Sequence, residues 1–543
     1  MTRRSLMVAS LVALLNGCAS SGRELIGPPA ESAMHLAEAI RAGRTSAEKA
    51  VRAYLSRIEA WDDDGPRLQA VIALNPNAIR DARTLDREAR MGRFRGPLHG
   101  VPILVKDNIE TNEMPTTAGS LALLSNATGR DAPAVSRLRS KGAVILGKTN
   151  LSEWANFRST RSVAGWSGVG GWTRNPHGLN RTACGSSSGS AVAVAARYAP
   201  VALGTETNGS IICPASMTGV VGLKPTVGLV SRTHVVPISP WMDTVGPMTT
   251  TVTDAALVLN AMAGSDPSDP VTEHADREKR DYLHGLANGI EGMRLGVCRW
   301  AQGDLPPVSA AFDSAVSTLA GLGAVMVDIR QFSPDPVLSE RVDETMQTDF
   351  KDALNQYLRT SADTVTVRTL KQLILFNREQ ASRELALFGQ DLFEAAIKRG
   401  PARVIRHSKN VDAIRRAARE GGIDRMLQEN DVVALVMPSA PPPFVFDRAY
   451  LGHFPGSDVG ATWLAAFAGY PVLSIPIPTT SIPIGLAVMS TAWEEKTLLA
   501  IGFAYEQARG EGVRPTFLRG PMDLPVLARA LLPYSETSSR SEP

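Results

Sequence analysis

At 543 residues the chain is longer than one ordinary core requires, which excludes a peptide or a lone binding module and predicts two or three domains or one unusually large sheet. Apolar residues make up 44% and charged residues 20%, the balance of a globular chain rather than a disordered one. The 57 Lys and Arg against 54 Asp and Glu leave a net charge of +3 with no basic block, so nucleic acid is not an expected partner and small-molecule chemistry is favoured.

Arg3 and Arg4 precede an apolar run, residues 5–15, that is too short to span a bilayer but suits an export signal. Leu15-Asn16-Gly17-Cys18 follows and is close to a bacterial lipobox. The segment 1–18 therefore reads as an export or lipoprotein-type signal, with a lipid anchor at Cys18 and a periplasmic or membrane-anchored location. The paired arginines also resemble a twin-arginine signal, so the export route stays open. Without Cys18, an odd set of cysteines remains, Cys184, Cys213 and Cys298, so at least one thiol stays free. No clustered His/Cys spacing supports zinc.

From residue 30 onward helical and strand patterns alternate without a long linker, which predicts one continuous α/β unit over 30–533. Thr45-Ser46-Ala47-Glu48 reads as a capping box opening a helix to about Trp61. Residues 100–107 form a nearly continuous apolar run after a glycine, as expected of a strand buried on both faces, with Lys106 and Asp107 at its exit. Residues 131–141 carry a helical pattern stopped at Gly142, and 143–146 another buried strand. Residues 157–190 have little periodicity and read as a functional loop. Residues 271–421 read as a mostly helical elaboration that covers a substrate site, clearest at 345–358 and 370–398. Strands are expected at 432–438, 472–476 and 483–488, a helix at 494–508, and a disordered tail at 534–543.

Gly142-Ala143-Val144-Ile145-Leu146-Gly147-Lys148-Thr149 matches a phosphate-loop pattern. Its variable positions read as a strand and a helix precedes it, so it is a helix-to-strand turn. Gly185-Ser186-Ser187-Ser188-Gly189 fits the nucleophile elbow and would make Ser187 the nucleophile, but a polar loop precedes it where a strand is needed. The late histidines, His284, His407 and His453, lie in no distinctive setting. In 203–211, a glycine just before Ser210 lets successive backbone N–H groups face one point, as an oxyanion hole requires. The residues beyond it can begin a helix whose N-terminus favours negative charge.

The order of Gly100-Val101-Pro102-Ile103-Leu104-Val105-Lys106-Asp107, Gly185-Ser186-Ser187-Ser188-Gly189-Ser190, Gly204-Thr205-Glu206-Thr207-Asn208-Gly209-Ser210 and Gly222-Leu223-Lys224-Pro225-Thr226-Val227-Gly228-Leu229-Val230 resembles the amidase signature family. The resemblance covers nearly all of 30–533. It implies a large mixed β-sheet core flanked by α-helices, and a triad of a lysine, a serine in a cis peptide linkage and a nucleophilic serine, which fall on Lys106, Ser186 and Ser210. Within the family the chain looks most like bacterial peptide amidases, from Arg158-Ser159-Thr160-Arg161-Ser162, Gly165-Trp166-Ser167-Gly168 and Phe503-Ala504-Tyr505-Glu506-Gln507-Ala508. That likeness implies an exported hydrolase releasing ammonia from C-terminally amidated peptides. Fatty acid amide or aryl acylamide hydrolysis is the alternative within the family, with 370–398 lining an apolar channel. A non-catalytic amide-binding lipoprotein is the alternative outside it. Asn208 stands where the family pattern has Gly and could narrow the site, and Cys184 stands where it often has Gly and could make the approach to Ser186 tighter or redox-sensitive.

A lysine can act as base only as the neutral amine, and deprotonating it at pH 7 costs about 4 to 5 kcal/mol from its ordinary pKa. Burial of Lys106 at the end of an apolar strand removes that cost by disfavouring the charged form. Neutral Lys106 would then draw a proton from Ser186, and Ser186 one from Ser210 as that oxygen attacks the carbonyl. The backbone N–H groups of Thr207, Asn208, Gly209 and Ser210 are the candidate oxyanion donors. This chemistry calls for no metal or organic cofactor, and its partner is a small-molecule or peptide amide.

Overall fold

The apolar run at 100–107 forms a strand buried along its length, and the rest of the architecture is built out from it. A computed structural model of the chain describes residues 32–402, 405–445, 459–480, 482–510, 512 and 514–517. The segment 1–18 with Cys18, the tail 534–543 and His453 lie outside the described residues.

In chain order the strands are β1 (Val71–Leu74), β2 (Pro102–Lys106), β3 (Val144–Thr149), β4 (Trp166–Ser167), β5 (Gly171–Trp172), β6 (Val201–Glu206), β7 (Val221–Lys224), β8 (Thr244–Thr249), β9 (Arg294–Cys298), β10 (Val325–Ile329), β11 (Ala434–Pro438), β12 (Val472–Ile477) and β13 (Ile484–Met489). β4 and β5 pair with each other, and the other strands form one eleven-stranded mixed sheet in the order β1-β3-β2-β6-β8-β7-β12-β13-β11-β9-β10. β2 pairs in parallel with β3 on one side and β6 on the other, so Ile103 lies opposite both Ile145 and Val201. From β6 to β11 the neighbours run antiparallel, and β11, β9 and β10 are again parallel. Along β2, Leu104 enters the core layer on one face of the sheet while Ile103 and Val105 enter the other. That is why the strand reads as an unbroken apolar run rather than an alternation.

Parallel neighbours require crossovers. The helix Pro133–Ser140 carries the chain from β2 to β3, and the helix Ser188–Ala195 from β3 to β6. The second is built from Ser, Gly, Ala and Val, all buried up to Val194, and packs against β2, β3 and β6. Its approach is so close that a Cβ on Gly189 would lie 2.4 Å from the carbonyl oxygens of Ala70 and Asn150. Because β2, β3 and β6 run the same way, their C-terminal ends emerge on one edge of the sheet, the usual place for an α/β binding site.

The expected large mixed sheet flanked by helices is therefore present, with local corrections. Ser46, not Thr45, caps the helix Ala47–Ile58: its hydroxyl accepts from the Lys49 N–H at 3.1 Å, while Glu48 turns outward to pair with Arg52 and Arg83. The region 271–421 is not a purely helical insert, since β9 and β10 extend the sheet edge from within it. Their short apolar runs, Leu295-Gly296-Val297-Cys298 and Val325-Met326-Val327, were masked by the helical patterns around them. The stretch 370–398 breaks into Leu370–Glu379, Ala381–Glu384 and Asp391–Ala396. Leu370, Leu373 and Ile374 are buried in the main core rather than lining a channel. Glu384 ties this region to the rest, accepting from the Leu121 N–H at 2.7 Å and lying 3.4 Å from the buried Arg158 guanidinium, which also pairs with Glu153.

The phosphate-loop match is a turn followed by a strand. Gly142 has φ +91°, and a Cβ there would lie 2.6 Å from the His99 Cα. Lys148 is buried in β3 and ion-paired with Asp107 at 3.0 Å. Removing one partner of such a pair leaves an uncompensated buried charge, so Lys148→Ala should cost about 3 to 5 kcal/mol in urea unfolding. A loss under about 1 kcal/mol, the value of an exposed pair, would contradict this reading.

Candidate active site

Lys106 ends β2 and Glu206 ends the neighbouring β6, so their side chains leave the sheet beside each other. Lys106 is fully buried. Its Nζ lies 2.7 Å from Ser186 Oγ, 2.8 Å from Thr205 Oγ1 and 3.2 Å from the Thr205 carbonyl oxygen. All three neighbours are neutral, and among the described residues no carboxylate forms an ion pair with this amine. Lys148, one strand over and equally buried, has Asp107 as its counter-charge. Burial pushes the Lys106 amine well below its ordinary pKa, against the opposing pull of Glu206 and Asp243. Two N–H donors and one lone pair are what a neutral amine offers, and two Thr205 oxygens and one serine hydroxyl are what surrounds it.

Ser186 lies in the turn before the helix Ser188–Ala195, and its peptide bond to Gly185 is cis. A Cβ on Gly185 would fall 2.1 Å from Ser152 Oγ, so only glycine fits. The Ser186 carbonyl accepts from the Ser152 N–H at 3.0 Å. The neighbouring Ser187 does a different job. Its hydroxyl donates to the Thr205 carbonyl at 3.1 Å and accepts from the Thr205 N–H at 3.2 Å, pinning the serine loop to β6. With no strand before it and its hydroxyl fully buried and bonded to backbone, Ser187 lacks the setting of an elbow nucleophile. Among the candidate histidines, His407 is bonded to Asp349 at 2.7 Å, a pairing away from the serine loops.

The Ser187 N–H donates to the Ser210 carbonyl at 3.1 Å, which brings the two serine loops together. Ser210 is the most open of the three candidates, 9% exposed against 0% for Lys106 and Ser186. The turn carrying it is held at both ends. Glu206 accepts from the N–H groups of Ile211 and Ile212 at 2.7 and 3.0 Å, and Thr207 Oγ1 donates to Asp243 at 2.6 Å. Asp243, pushed up to about 6 by burial, also accepts from the N–H groups of Ile238 and Ser239. Gly209 has φ +78°, a left-handed conformation that favours glycine. Among the described residues, the N–H groups of Thr207, Asn208, Gly209 and Ser210 have no hydrogen-bond acceptor. Four adjacent free donors beside a serine hydroxyl can receive an anion. The helix Ile212–Thr218 starts immediately beyond.

Three features of the site were not foreseen. Thr205 supplies two of the three oxygens around Lys106 and is itself held by Asn108 Nδ2 at 2.9 Å. It sits inside the motif already singled out, so the strand's alternation could have pointed to it. Asp243 lies immediately before β8, 36 residues beyond Thr207, and carries no sequence signal. Cys184 and Cys213, each within three residues of a candidate serine, form a disulfide, and Cys298 is free and buried.

A single large mixed sheet that gathers a buried amine, two serine loops and a row of free amide donors at one edge has the layout of an enzyme. A family model described as Amidase matches residues 49–499. A probable amidase of Arabidopsis thaliana is 37% identical over 481 residues, covering 86% of this chain and 87% of that one. The crystal structure of native peptide amidase from Stenotrophomonas maltophilia superposes with a TM-score of 0.85 at 43% identity, covering 90% of this chain and 99% of that one. A peptide amidase in complex with the competitive inhibitor chymostatin superposes with a TM-score of 0.83 at 43% identity, covering 89% and 98%. The chain belongs to the amidase family, enzymes that hydrolyse amide bonds. The exported, periplasmic or lipid-anchored location read from 1–18 is withdrawn, because the curated relatives that match most of the chain include a probable amidase of a plant and putative amidases of fungi.

Replacing Thr205 by Val keeps the shape but removes an oxygen shared by Lys106 and Asn108. Thr205→Val should lower stability by about 1 to 3 kcal/mol, the cost of leaving buried donors unsatisfied. It should also slow amide hydrolysis. Wild-type stability and rate together would show that the Thr205 hydroxyl does not hold the amine.

Proposed function

We propose that the protein is a serine amidohydrolase in which Ser210 is the nucleophile, Ser186 the proton relay and Lys106 the base, acting on C-terminally amidated peptides with release of ammonia. The observation that carries the mechanism is a buried amine with only neutral partners, 2.7 Å from a serine hydroxyl. Neutral Lys106 accepts the Ser186 proton while Ser186 accepts that of Ser210, and the Ser210 oxygen bonds to the amide carbon. The tetrahedral oxyanion is received by the free N–H groups of 207–210, each such donor being worth about 3 to 4 kcal/mol. The proton returns through Ser186 to the departing nitrogen, the C–N bond breaks, and water then hydrolyses the acyl-enzyme with the same groups.

The peptide reading rests on the likeness to peptide amidases and on a cleft that reaches the site. The cleft has a volume of about 340 Å³, opens beside Asn208 and is walled by Phe157, Leu338, Val342, Met346 and Phe467, with Asp343 and Gln347 among its polar lining. Asn208 faces this cleft with its side chain exposed, so its replacement of glycine shapes the entrance while its backbone N–H stays free. A pocket of that size with mixed lining suits an amino-acid side chain.

Ser210→Ala should abolish ammonia release with the fold intact, and a fluorophosphonate probe should label Ser210. Labelling at Ser187 alone would overturn the assignment. Lys106→Ala and Ser186→Ala should each lower kcat by about 1,000-fold or more. Because burial lowers the Lys106 pKa and the neutral amine is the working form, kcat/KM should rise with pH through that lowered pKa and level off well before the ordinary lysine pKa. A rate still climbing towards the ordinary lysine pKa would contradict a dry, neutral base.

Amidated peptides should be hydrolysed with kcat/KM at least about 100-fold above oleamide, a difference of some 3 kcal/mol in transition-state binding. The reverse order, measured by ammonia release across both sets, would assign the fatty amide alternative.

A further inference from the structure

The two serine loops are also joined by a covalent bond that the chemistry above does not use. Cys184 directly precedes Gly185-Ser186, and Cys213 lies in the first turn of the helix that follows Ser210; the two form a disulfide across a sequence separation of 29. The Cys213 N–H donates to the Gly209 carbonyl at 2.8 Å, so the sulfur bridge is one hydrogen bond from the residue that shapes the amide row. One hydrogen bond also joins the two loops directly, the Ser187 N–H donating to the Ser210 carbonyl.

Resting on the triad reading above, we propose that the Cys184–Cys213 disulfide is a redox-responsive positioning link that holds the relay loop against the nucleophile loop. Oxidised, it fixes the separation of the two loops over which the proton must pass. Reduced, it leaves both loops in place but free to part. Local bonds support the second half of that statement. Cys184 N–H donates to Thr182 Oγ1 at 3.0 Å, and its carbonyl accepts from Ser188 Oγ at 2.8 Å, so the chain around it does not depend on sulfur to keep its path. Glu206 likewise holds Ile211 and Ile212 without it.

The link is placed to be reached. Cys184 is buried at 7% exposure in a cluster with Met217 and Phe444, and Cys213, packed against that cluster but only partly buried, is the more exposed of the two residues. A thiolate of a dithiol reductant bonds to Cys213 Sγ, the S–S bond breaks, and Cys184 leaves as a thiolate that takes a proton. The second thiol of the reductant then displaces Cys213, so two electrons and two protons pass to the protein and the reductant leaves as its cyclic disulfide. Cys298, fully buried with its thiol pushed up to about 12, stays out of the exchange.

The experiment treats the full-length enzyme with dithiothreitol, alkylates it, and confirms by peptide mass mapping that Cys184 and Cys213 are both modified. The reduced enzyme should lose about tenfold or more in kcat, the scale expected when reacting groups are displaced by a fraction of an ångström, with KM nearly unchanged. Oxidised glutathione should restore the rate before alkylation. Cys184→Ser with Cys213→Ser should be slow from the start and indifferent to dithiothreitol, with the circular dichroism of the wild type. Full kcat in the reduced enzyme overturns the proposal, as does loss of rate only together with loss of fold. If the oxidised enzyme releases no ammonia from any amide, the functional reading fails, and hydrogen exchange then decides the link. Faster exchange at both 185–187 and 207–212 on reduction supports it, and unchanged exchange overturns it.

Discussion

Everything at this site depends on withholding water and counter-charge from one amine. Lys106 and Lys148 make the point as a pair, since Lys106 ends β2, Lys148 is next to last in the parallel β3, and both are shut off from solvent. Lys148 faces Asp107 and is a structural cation. Lys106 is surrounded by a serine hydroxyl, a threonine hydroxyl and a backbone carbonyl, none of which can neutralise a charge. An uncompensated buried ammonium is costly, so burial disfavours the protonated form and lowers the pKa of the amine. Glu206 and Asp243 pull the other way without forming an ion pair with it: Glu206 Oε2 accepts from Ile211 and Ile212, and Asp243 accepts from Thr207, Ile238 and Ser239.

The fold delivers that environment through topology. Three parallel strands end at one edge, and the crossover helix between β3 and β6 is thin enough, in Ser, Gly, Ala and Val, to lie directly on them. A bulkier helix would lift the Ser186 loop off the sheet and admit water beside the amine. Ser187 then fastens the loop to β6 through both backbone groups of Thr205, the residue whose side chain and carbonyl solvate Lys106. Positioning of Ser186 and desolvation of Lys106 are thus one structural act.

Much of this was legible in the sequence because it is local. An unbroken apolar run ending in a lysine announces a strand buried on both faces, and glycines at 185, 189 and 209 mark places where a Cβ or an ordinary backbone conformation would not fit. Telling a phosphate loop from a turn and strand needed only the character of the four residues between Gly142 and Gly147. What was hidden is non-local. β9 and β10 look like breaks between helices until the sheet edge that pairs with them is known, and Asp243 reaches Thr207 only because β8 lies beside β6. The disulfide was open for the same reason: three cysteines left beyond Cys18 permit more than one pairing, and only the packing of the two serine loops selects Cys184 with Cys213.

Chemistry and selectivity come from different parts of the chain. The amine, the hydroxyls and the amide row all belong to residues 106–210, carried on strands whose register leaves little room for change. The cleft beside Asn208 is walled by Phe157 from the long loop, by Leu338, Val342 and Met346 from the helical region, and by Phe467 from the helix Trp463–Ala468. Glu384 and Arg158 tie the long loop carrying Phe157 to the helical region. Substitutions in the walls can therefore reshape the cleft beside Asn208 without disturbing the burial of Lys106.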